Sequence, residues 1–183
     1  MRTLNPTLWR TCRALAGTVR IRLLRELLAR PGAGVSTLAD VAKIGQSDAS
    51  QELRRLQSRG LLRRIRQGRH VSYRPRPDPQ VPTAAPLLKA LKATLTNSPR
   101  EQDVTICRLA TGLAHETRIK IVRELRNGPR RNASLAQTLR LAPNTAHRHV
   151  RRLIDAGWIR QQNAWLIFDP PHHPLAGALA KLV

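Results

Sequence analysis

Hydrophobic residues recur every three or four positions through most of this chain, and charged residues, mainly arginine, fill the positions between them. This spacing is typical of amphipathic helices. Leu8, Cys12, Leu15 and Ala16 form one such stripe near the N-terminus, and a stripe with the same spacing begins behind Asp103. Arginine interrupts every apolar run before it reaches the roughly 18 residues that a membrane-spanning helix needs. The pattern therefore predicts a mainly helical protein with no membrane span.

The same segment occurs twice along the chain. Residues 20–27 match residues 118–125 at an offset of 98, and residues 54–56 match residues 151–153 at an offset of 97. A single-residue gap near a Gly/Pro turn connects the two registers. We interpret the chain as a tandem duplication of one module.

Within each copy, a short helix is followed by a tight turn and a longer helix. The short helices are predicted at 36–42 and 132–139, and the longer ones at 47–58 and 144–156. Glycines at 60 and 157 close the longer helices. This order is the helix-turn-helix arrangement.

An alternating apolar pattern around a short turn follows each longer helix. In the first copy, residues 61–66 and 71–74 flank the sequence Gln-Gly-Arg-His, which predicts a basic β-hairpin. The second copy predicts a shorter, less charged hairpin from residues 158–160 and 164–168. The predicted fold is mainly α with small β-hairpin wings.

Proline spacing and a second break divide the chain into two domains. The first is predicted at 1–97, with a Pro-rich connection at 74–86 and a terminal helix at 87–97. The second is predicted at 98–183, with a terminal helix at 174–183. Each terminal helix has one strong apolar face that an isolated module would leave uncovered. We hypothesise that these helices pack with the first helices around a pseudo-twofold axis.

Composition points to a polyanionic partner. The chain of 183 residues has 33 Lys+Arg against 11 Asp+Glu, a net charge of +22, and only five of the basic residues are lysine. Residues 1–97 carry 19 basic and 5 acidic residues, a net +14, and residues 98–183 carry 14 and 6, a net +8. Guanidinium groups bind phosphate bidentately and read guanine edges. Aromatic residues make up 3%, which argues against a single-strand binder that stacks bases, so double-stranded DNA is the predicted partner.

Two stretches of the second copy resemble the ArsR-type winged helix-turn-helix family, with MarR-type repressors as relatives. Residues 113–119 resemble the family's junction between its first two helices, and residues 145–153 with 155–159 resemble its recognition helix and the entry to its wing. The resemblance covers almost the whole chain twice and is closer in the second copy. It implies sequence-specific DNA binding in transcriptional repression, with the first and last helices of each unit forming a dimer interface.

The chain departs from that family in two respects. The predicted first helices of the helix-turn-helix contain no cysteine, which leaves a metal-sensor reading unsupported. Duplication also places two recognition helices in one chain, so we expect an intramolecular pseudo-dimer. A further homodimer of whole chains stays open.

The candidate DNA contacts are polar or basic residues on the recognition helices, opposite their buried sides, and basic residues of the wings. On the first recognition helix they are Gln46, Ser47, Ser50, Gln51 and Arg54, and on the second they are Asn144, Thr145, His147, Arg148 and Arg151. In the wings they are Arg63, Arg64, Arg66, Arg69, His70 and Arg160. The alternatives are a merely solvated helix face and a basic edge strand that resists aggregation. Asp48 and Glu52 weaken the first helix, because phosphate repels carboxylates.

No pattern in the sequence predicts catalysis, a cofactor or a metal site. Cys12 and Cys107 lie on apolar stripes without metal-ligand spacing, and buried packing is the simpler reading. His172 and His173 beside Asp169 are a weak metal candidate in a Pro-rich turn. We therefore expect a protein that is not an enzyme.

The expected function is a cytoplasmic, nucleoid-associated transcriptional regulator that prefers an asymmetric DNA site. The N-terminal segment also resembles a mitochondrial presequence, but its mid-chain counterpart favours a structural role. Two alternative functions stay open: a low-specificity architectural DNA-binding protein and a winged-helix scaffold for acidic protein partners. The loss of DNA affinity with salt separates DNA binding from the scaffold.

Overall fold

The protein is described here as a computed structural model that covers residues 7–68 and 70–183. The predicted wing contact Arg69 lies outside the described residues. Each half begins with two helices. A short helix, a turn and a longer helix follow, and then a β-hairpin and a closing helix. The fold is mainly helical with small antiparallel sheets, as the sequence predicts.

The first half begins with α1 and ends with α5. Its elements are α1 (Leu8–Leu15), α2 (Thr18–Ala29), α3 (Val35–Ala42), α4 (Gln46–Gln57), β1 (Arg63–Gln67), β2 (His70–Arg74) and α5 (Ala84–Asn97). Helix α5 begins three residues before the predicted start. Pro86 is tolerated in its first turn, because the first amides of a helix have no partner within the helix.

The second half repeats this order with one added strand. A short 3₁₀ turn at Arg100–Gln102 precedes it, and its elements are α6 (Asp103–Leu113), α7 (Glu116–Arg126), β3 (Arg130–Arg131), α8 (Asn132–Thr138), α9 (Pro143–Asp155), β4 (Ile159–Gln162), β5 (Trp165–Phe168) and α10 (Pro174–Leu182). The predicted long helices at 47–58 and 144–156 each begin and end one residue earlier in the structure.

Each hairpin is antiparallel and lies beside its own helix-turn-helix. In the first half, Arg63 pairs with Arg74 and Gln67 with His70, and an isolated bridge joins Gly34 to Ser72. In the second half, strand order β3-β5-β4 makes a three-stranded sheet. The sequence does not predict β3, because two residues are too few for an alternating pattern.

Both halves contribute to one continuous hydrophobic core. Helix α1 packs on α6, α5 packs on α10, and α2 also contacts α6. The apolar faces of the closing helices are buried in these contacts. Leu87, Leu91, Leu175 and Leu179 are fully buried. The closing helices therefore pack on each other, and the first helices on each other. The division into two domains at residue 97 stays a prediction.

Arg25 of α2 fastens the connection between the halves. Its guanidinium donates to the Asp103 carboxylate at 2.6 Å and to the carbonyls of Ser98 at 2.8 Å and Pro99 at 3.3 Å. Glu26, its neighbour, is buried and accepts from Arg30 and Arg100. Because one side chain bonds to both the end of the linker and the start of α6, it holds the two halves in one orientation.

Trp158 closes the core of the second half. Its indole is fully buried, its Nε1 donates to the Leu109 carbonyl at 2.9 Å, and its ring stacks on Phe168 with centroids 6.4 Å apart. The indole lies directly on Gly112: a Cβ at that position would be 2.5 Å from Trp158 Cδ1 and 2.6 Å from Ala156 Cβ. Glycine is thus required here for close approach rather than for an unusual φ.

Replacing this glycine is expected to destabilise the protein. Gly112→Ala forces Trp158 or α6 to shift, and overpacking of this kind costs about 1–3 kcal/mol. The matched control is Gly177→Ala in α10, where an added Cβ meets no atom within 4 Å. The control is expected to raise the free energy of unfolding by up to about 1 kcal/mol, because alanine has the higher helix propensity. Urea unfolding of both variants checks this, and equal stability of the Gly112→Ala and wild-type proteins would contradict the packing argument.

Candidate nucleic-acid interface

Helix α9 separates an apolar face from a basic one. Ala146, Val150 and Leu153 are buried against the rest of the second half, as the sequence predicts. The candidate DNA contacts on the other side are Asn144, His147, Arg148 and Arg151, which are exposed, and Thr145, which is half-buried. Arg151 has an exposed partner, Asp155, at 3.6 Å. An exposed pair of this kind contributes little and leaves the arginine available.

Helix α4 also has one buried apolar face and one exposed polar face, but its exposed face carries a different set of charges. Ala49, Leu53 and Leu56 are buried. Gln46, Ser47, Gln51 and Arg54 are exposed, while Ser50 is half-buried. Asp48 is also exposed in the first turn, where its carboxylate interacts favourably with the helix dipole.

Glu52 serves a structural purpose that the sequence does not reveal. Its carboxylate accepts hydrogen bonds from Arg20 of α2 and, at 2.6 Å, from Arg55 of its own helix. The Glu52 side chain is only 18% exposed. It is therefore engaged inside the protein and does not face the solvent side of α4 as a free negative charge.

The wings differ between the halves. Arg63, Arg64, Arg66 and His70 are exposed on the first hairpin, and the described residues contain no carboxylate that pairs with these arginines. In the second wing, Arg160 donates to Asp169 at 3.0 Å, which offsets its charge.

The second wing also carries an aromatic contact that sequence reasoning missed. The Arg131 guanidinium lies 5.0 Å from the centre of the Trp165 ring, and Trp165 is 45% exposed. Arg131 belongs to β3, which pairs with β5 and so brings it across the wing. The only sequence signal is the pair of arginines just before α8.

Comparison with known proteins identifies part of this architecture. A family model described as "Helix-turn-helix domain" matches residues 113–162, the segment that runs from the end of α6 through α9 to β4. Residues 113–162 are a helix-turn-helix domain. Domains of this kind bind DNA through the second helix of the pair, which here is α9. No curated protein and no solved structure matches the chain.

An arginine near the start of the second helix of each half, α2 or α7, bonds to the end of the helix before it. In the helix-turn-helix domain, Arg118 donates to the carbonyls of Gly112 at 2.6 Å and Thr111 at 2.8 Å, at the end of α6. Arg20 donates in the same way to Ala14 and Arg13 at the end of α1. These residues correspond at the offset of 98. The unpaired carbonyls at a helix end are thus satisfied by a long-range side chain in both halves.

A pair of histidines lies on the buried side of α9. His149 is 7% exposed, and its ring lies 4.5 Å from that of His115. His115 caps α7, since its Nδ1 accepts from the Thr117 amide at 3.1 Å. Burial, followed by the positive charges of His115, Arg118 and Arg148, lowers the pKa of His149 to about 4. Burial also lowers the pKa of His115.

The two cysteines and His173 take structural positions. Burial raises the pKa of the Cys12 thiol to about 12 and, with the Asp103 charge, that of Cys107 to about 11, which disfavours the reactive thiolate. His173 caps α10, its Nδ1 accepting from the Leu175 amide at 3.1 Å.

Over residues 7–68 and 70–183, no group of three or more His, Cys, Asp or Glu side chains is placed to hold a metal ion. Within the same ranges, no helix is long and apolar enough to cross a membrane.

Mild acid is expected to destabilise the fold through His149. The unfolded chain takes up a proton there near pH 6.5 and the folded protein only near pH 4, so acidification favours unfolding. Between about pH 7.5 and about pH 5 this residue lowers the free energy of unfolding by at most about 2 kcal/mol. Urea unfolding at both pH values measures the loss.

His149→Gln is expected to reduce that loss, leaving the smaller contributions of His115 and His173, whose pKa values burial lowers as well. The control is His147→Gln on the exposed side of α9, which should keep the wild-type dependence. An unchanged pH dependence in His149→Gln would contradict the assignment.

Proposed function

We propose that this protein is a repressor-like transcriptional regulator that binds double-stranded DNA with α4 and α9 in major grooves and its wings on phosphates or in the minor groove. The observation that carries the proposal is the exposed basic face of α9 within the helix-turn-helix domain. Residues near the start of a recognition helix meet base edges, and the helix-start amides meet phosphate. Arg148 has no bonded partner among the described residues, so its fork is available for guanine or phosphate.

The arrangement of the halves supports an intramolecular pseudo-dimer. Both halves have the same order of helices and hairpin, and their first and closing helices pack in corresponding pairs. This is the contact that the ArsR-type resemblance assigns to a dimer interface. A pseudo-dimer would present α4 and α9 to successive major grooves, about 34 Å apart along the duplex.

The two recognition helices are unequal, which supports an asymmetric DNA site. Helix α4 carries two arginines, one of them bonded to Glu52, together with the exposed Asp48. Helix α9 carries three arginines, two of them free of carboxylate contacts among the described residues, and a single acidic residue. We infer that α9 reads bases while the first half grips the backbone, chiefly through the wing arginines at 63, 64 and 66.

Charge also favours one alternative. A net charge of +22 and the arginine-rich first wing suit a low-specificity architectural protein that binds DNA mainly through phosphate. Nucleoid association would accompany either role. A scaffold for acidic proteins would use the same surface without any preference for DNA.

Selection from randomised duplexes, followed by binding at several salt concentrations, tests the proposal. We expect one enriched, non-palindromic sequence bound at least roughly 10³-fold more tightly than random DNA. Binding without an enriched sequence would favour the architectural alternative. No salt-dependent duplex binding would contradict both DNA-binding functions.

Arg148→Ala is expected to weaken binding to the selected sequence about 10- to 100-fold and to relax specificity at one base pair, because a bidentate base contact is lost. Arg108→Ala removes an exposed arginine from α6, outside the recognition helices and wings, and is the matched control. Competition between the selected duplex and single-base variants measures both effects. If the two variants lose affinity equally, Arg148 acts through net charge alone.

Arg66→Gln in the first wing is expected to weaken binding to all sequences alike. Loss of one phosphate contact reduces the slope of log K against log salt by about 0.9. Binding isotherms over a range of chloride concentrations measure that slope for the variant and for Arg76→Gln, an exposed arginine in the Pro-rich connection. A preserved slope in Arg66→Gln would place this residue outside the interface.

A further inference from the structure

A pocket with an unusual lining lies between α1 and α4 in the first half. It has a volume of about 550 Å³, within the usual range for ligand sites. Five arginines, together with Trp9, form most of its wall, and we name it the arginine pocket: they are Arg10, Arg13, Arg20, Arg55 and Arg59. Two come from one face of α1 and two from the last turn of α4 and the residues after it.

The positive charge in this pocket is mostly uncompensated. The carboxylate of Glu52 bonds to Arg20 and Arg55. Arg10, Arg13 and Arg59 have no carboxylate within 4 Å among residues 7–68 and 70–183. Like charges held together repel, and partial burial weakens the screening by water. Burial and then the charge of Arg10 lower the pKa of Arg59, in keeping with an unneutralised cluster.

The second half lacks two of these five arginines at the corresponding positions. At the offsets of 98 and 97, Thr111 and Ala156 stand where Arg13 and Arg59 stand in the first half. The space there is filled by the indole of Trp158 packed on Gly112, and the residue corresponding to Trp158 is Leu61. The arginine pocket is therefore a feature of the first half and does not follow from the helix-turn-helix arrangement itself.

The pocket lies at the opposite end of α4 from most of the candidate base contacts of that helix. Gln46, Ser47, Ser50 and Gln51 lie in the first turns of α4, whereas Arg55 lies in its last turn and Arg59 follows its end. At 1.5 Å per residue, Ser47 and Arg55 are separated by about 12 Å along the helix axis. An anion in the pocket would thus occupy a different place from a base pair contacted by α4.

We propose that the arginine pocket binds a phosphate-bearing anion with more than one negative charge. Guanidinium forks match phosphate oxygens bidentately, and several of them converge here. A diphosphate group offers enough charge to offset the surplus that Glu52 leaves, whereas a single carboxylate does not. The source is either a free phosphorylated ligand or neighbouring phosphates of the DNA backbone. Helix α1 also packs on α6 of the second half. An anion bound in the pocket therefore contacts a helix that lies at the contact between the two halves.

Calorimetric titration of the full chain with inorganic pyrophosphate, at constant ionic strength, tests the free-ligand source. The double variant Arg13→Gln/Arg59→Gln removes two charges from the pocket. Its matched control, Arg76→Gln/Arg108→Gln, removes two exposed arginines elsewhere. We expect wild type and control to bind pyrophosphate and the pocket variant to bind about 10-fold more weakly or not at all, since charge-assisted hydrogen bonds are lost.

Two further measurements keep the test independent of folding defects. Pyrophosphate should raise the unfolding temperature of wild type and control but not that of the pocket variant, whose own stability should be at least that of wild type because repulsion is relieved. It should also change the tryptophan fluorescence of wild type, and Trp9→Phe should abolish this change. Equal pyrophosphate binding by the pocket variant and the control would overturn the proposal.

Duplex titration at several salt concentrations tests the other source. If pyrophosphate does not bind, a lower salt slope for the pocket variant than for its control, by about one to two, supports DNA phosphate as the occupant. Equal slopes in that case overturn the proposal. If the wild-type protein binds no duplex at all, the proposed regulatory function is wrong. The pyrophosphate titration still tests whether the arginine pocket binds an anion.

Discussion

The packing of α1 on α6 and of α5 on α10 is the contact on which the rest of the structure depends. Each of these helices has an apolar face, and its counterpart from the other half covers part of that face. Removing either half would expose several leucines to water, at about 25 cal/mol for every Å² of apolar surface. Apolar packing alone does not fix the orientation of the two halves. Arg25 helps to fix it, because its side chain bonds to both the linker and α6. The positions of α4 and α9 follow from that shared core.

The few acidic residues determine where positive charge remains. Six of the 11 form ion pairs within the described residues, and Glu26 and Glu52 do so in largely buried positions. Two of these pairs neutralise arginines that are themselves largely buried, Arg20 and Arg25. The arginines without a carboxylate partner among the described residues include Arg148 on the face of α9, those on the first wing and three in the arginine pocket. A polyanion is the partner that such a distribution best accommodates.

Corresponding positions in the two halves keep the fold but differ in chemistry. Glu52 bonds to Arg20 in the first half, while at the offset of 97 His149 lies beside Arg118 and stays neutral. Leu61 leaves space beside α1 where Trp158 fills the space beside α6. The shared pattern preserves helix ends, turns and core positions, because these need only the right size and polarity. The divergent positions give each half a different surface.

Sequence alone determined the elements of this protein and the buried faces of its helices. Helix periodicity, the Gly and Pro stops and the repeat at offsets of 98 and 97 depend on residues near one another in the chain, so α4, α9 and both wings are predicted to within one or two residues. The same reasoning identified the exposed polar face of each recognition helix. Tertiary structure decided what depends on residues from different elements meeting: the strand β3, the pairing of Glu52 with Arg20, the burial of His149, the partner of Arg160 and the convergence of five arginines on one pocket. Apart from the Arg160–Asp169 pair, which spans nine positions, these contacts join residues tens of positions apart, and only packing of the whole chain brings them together.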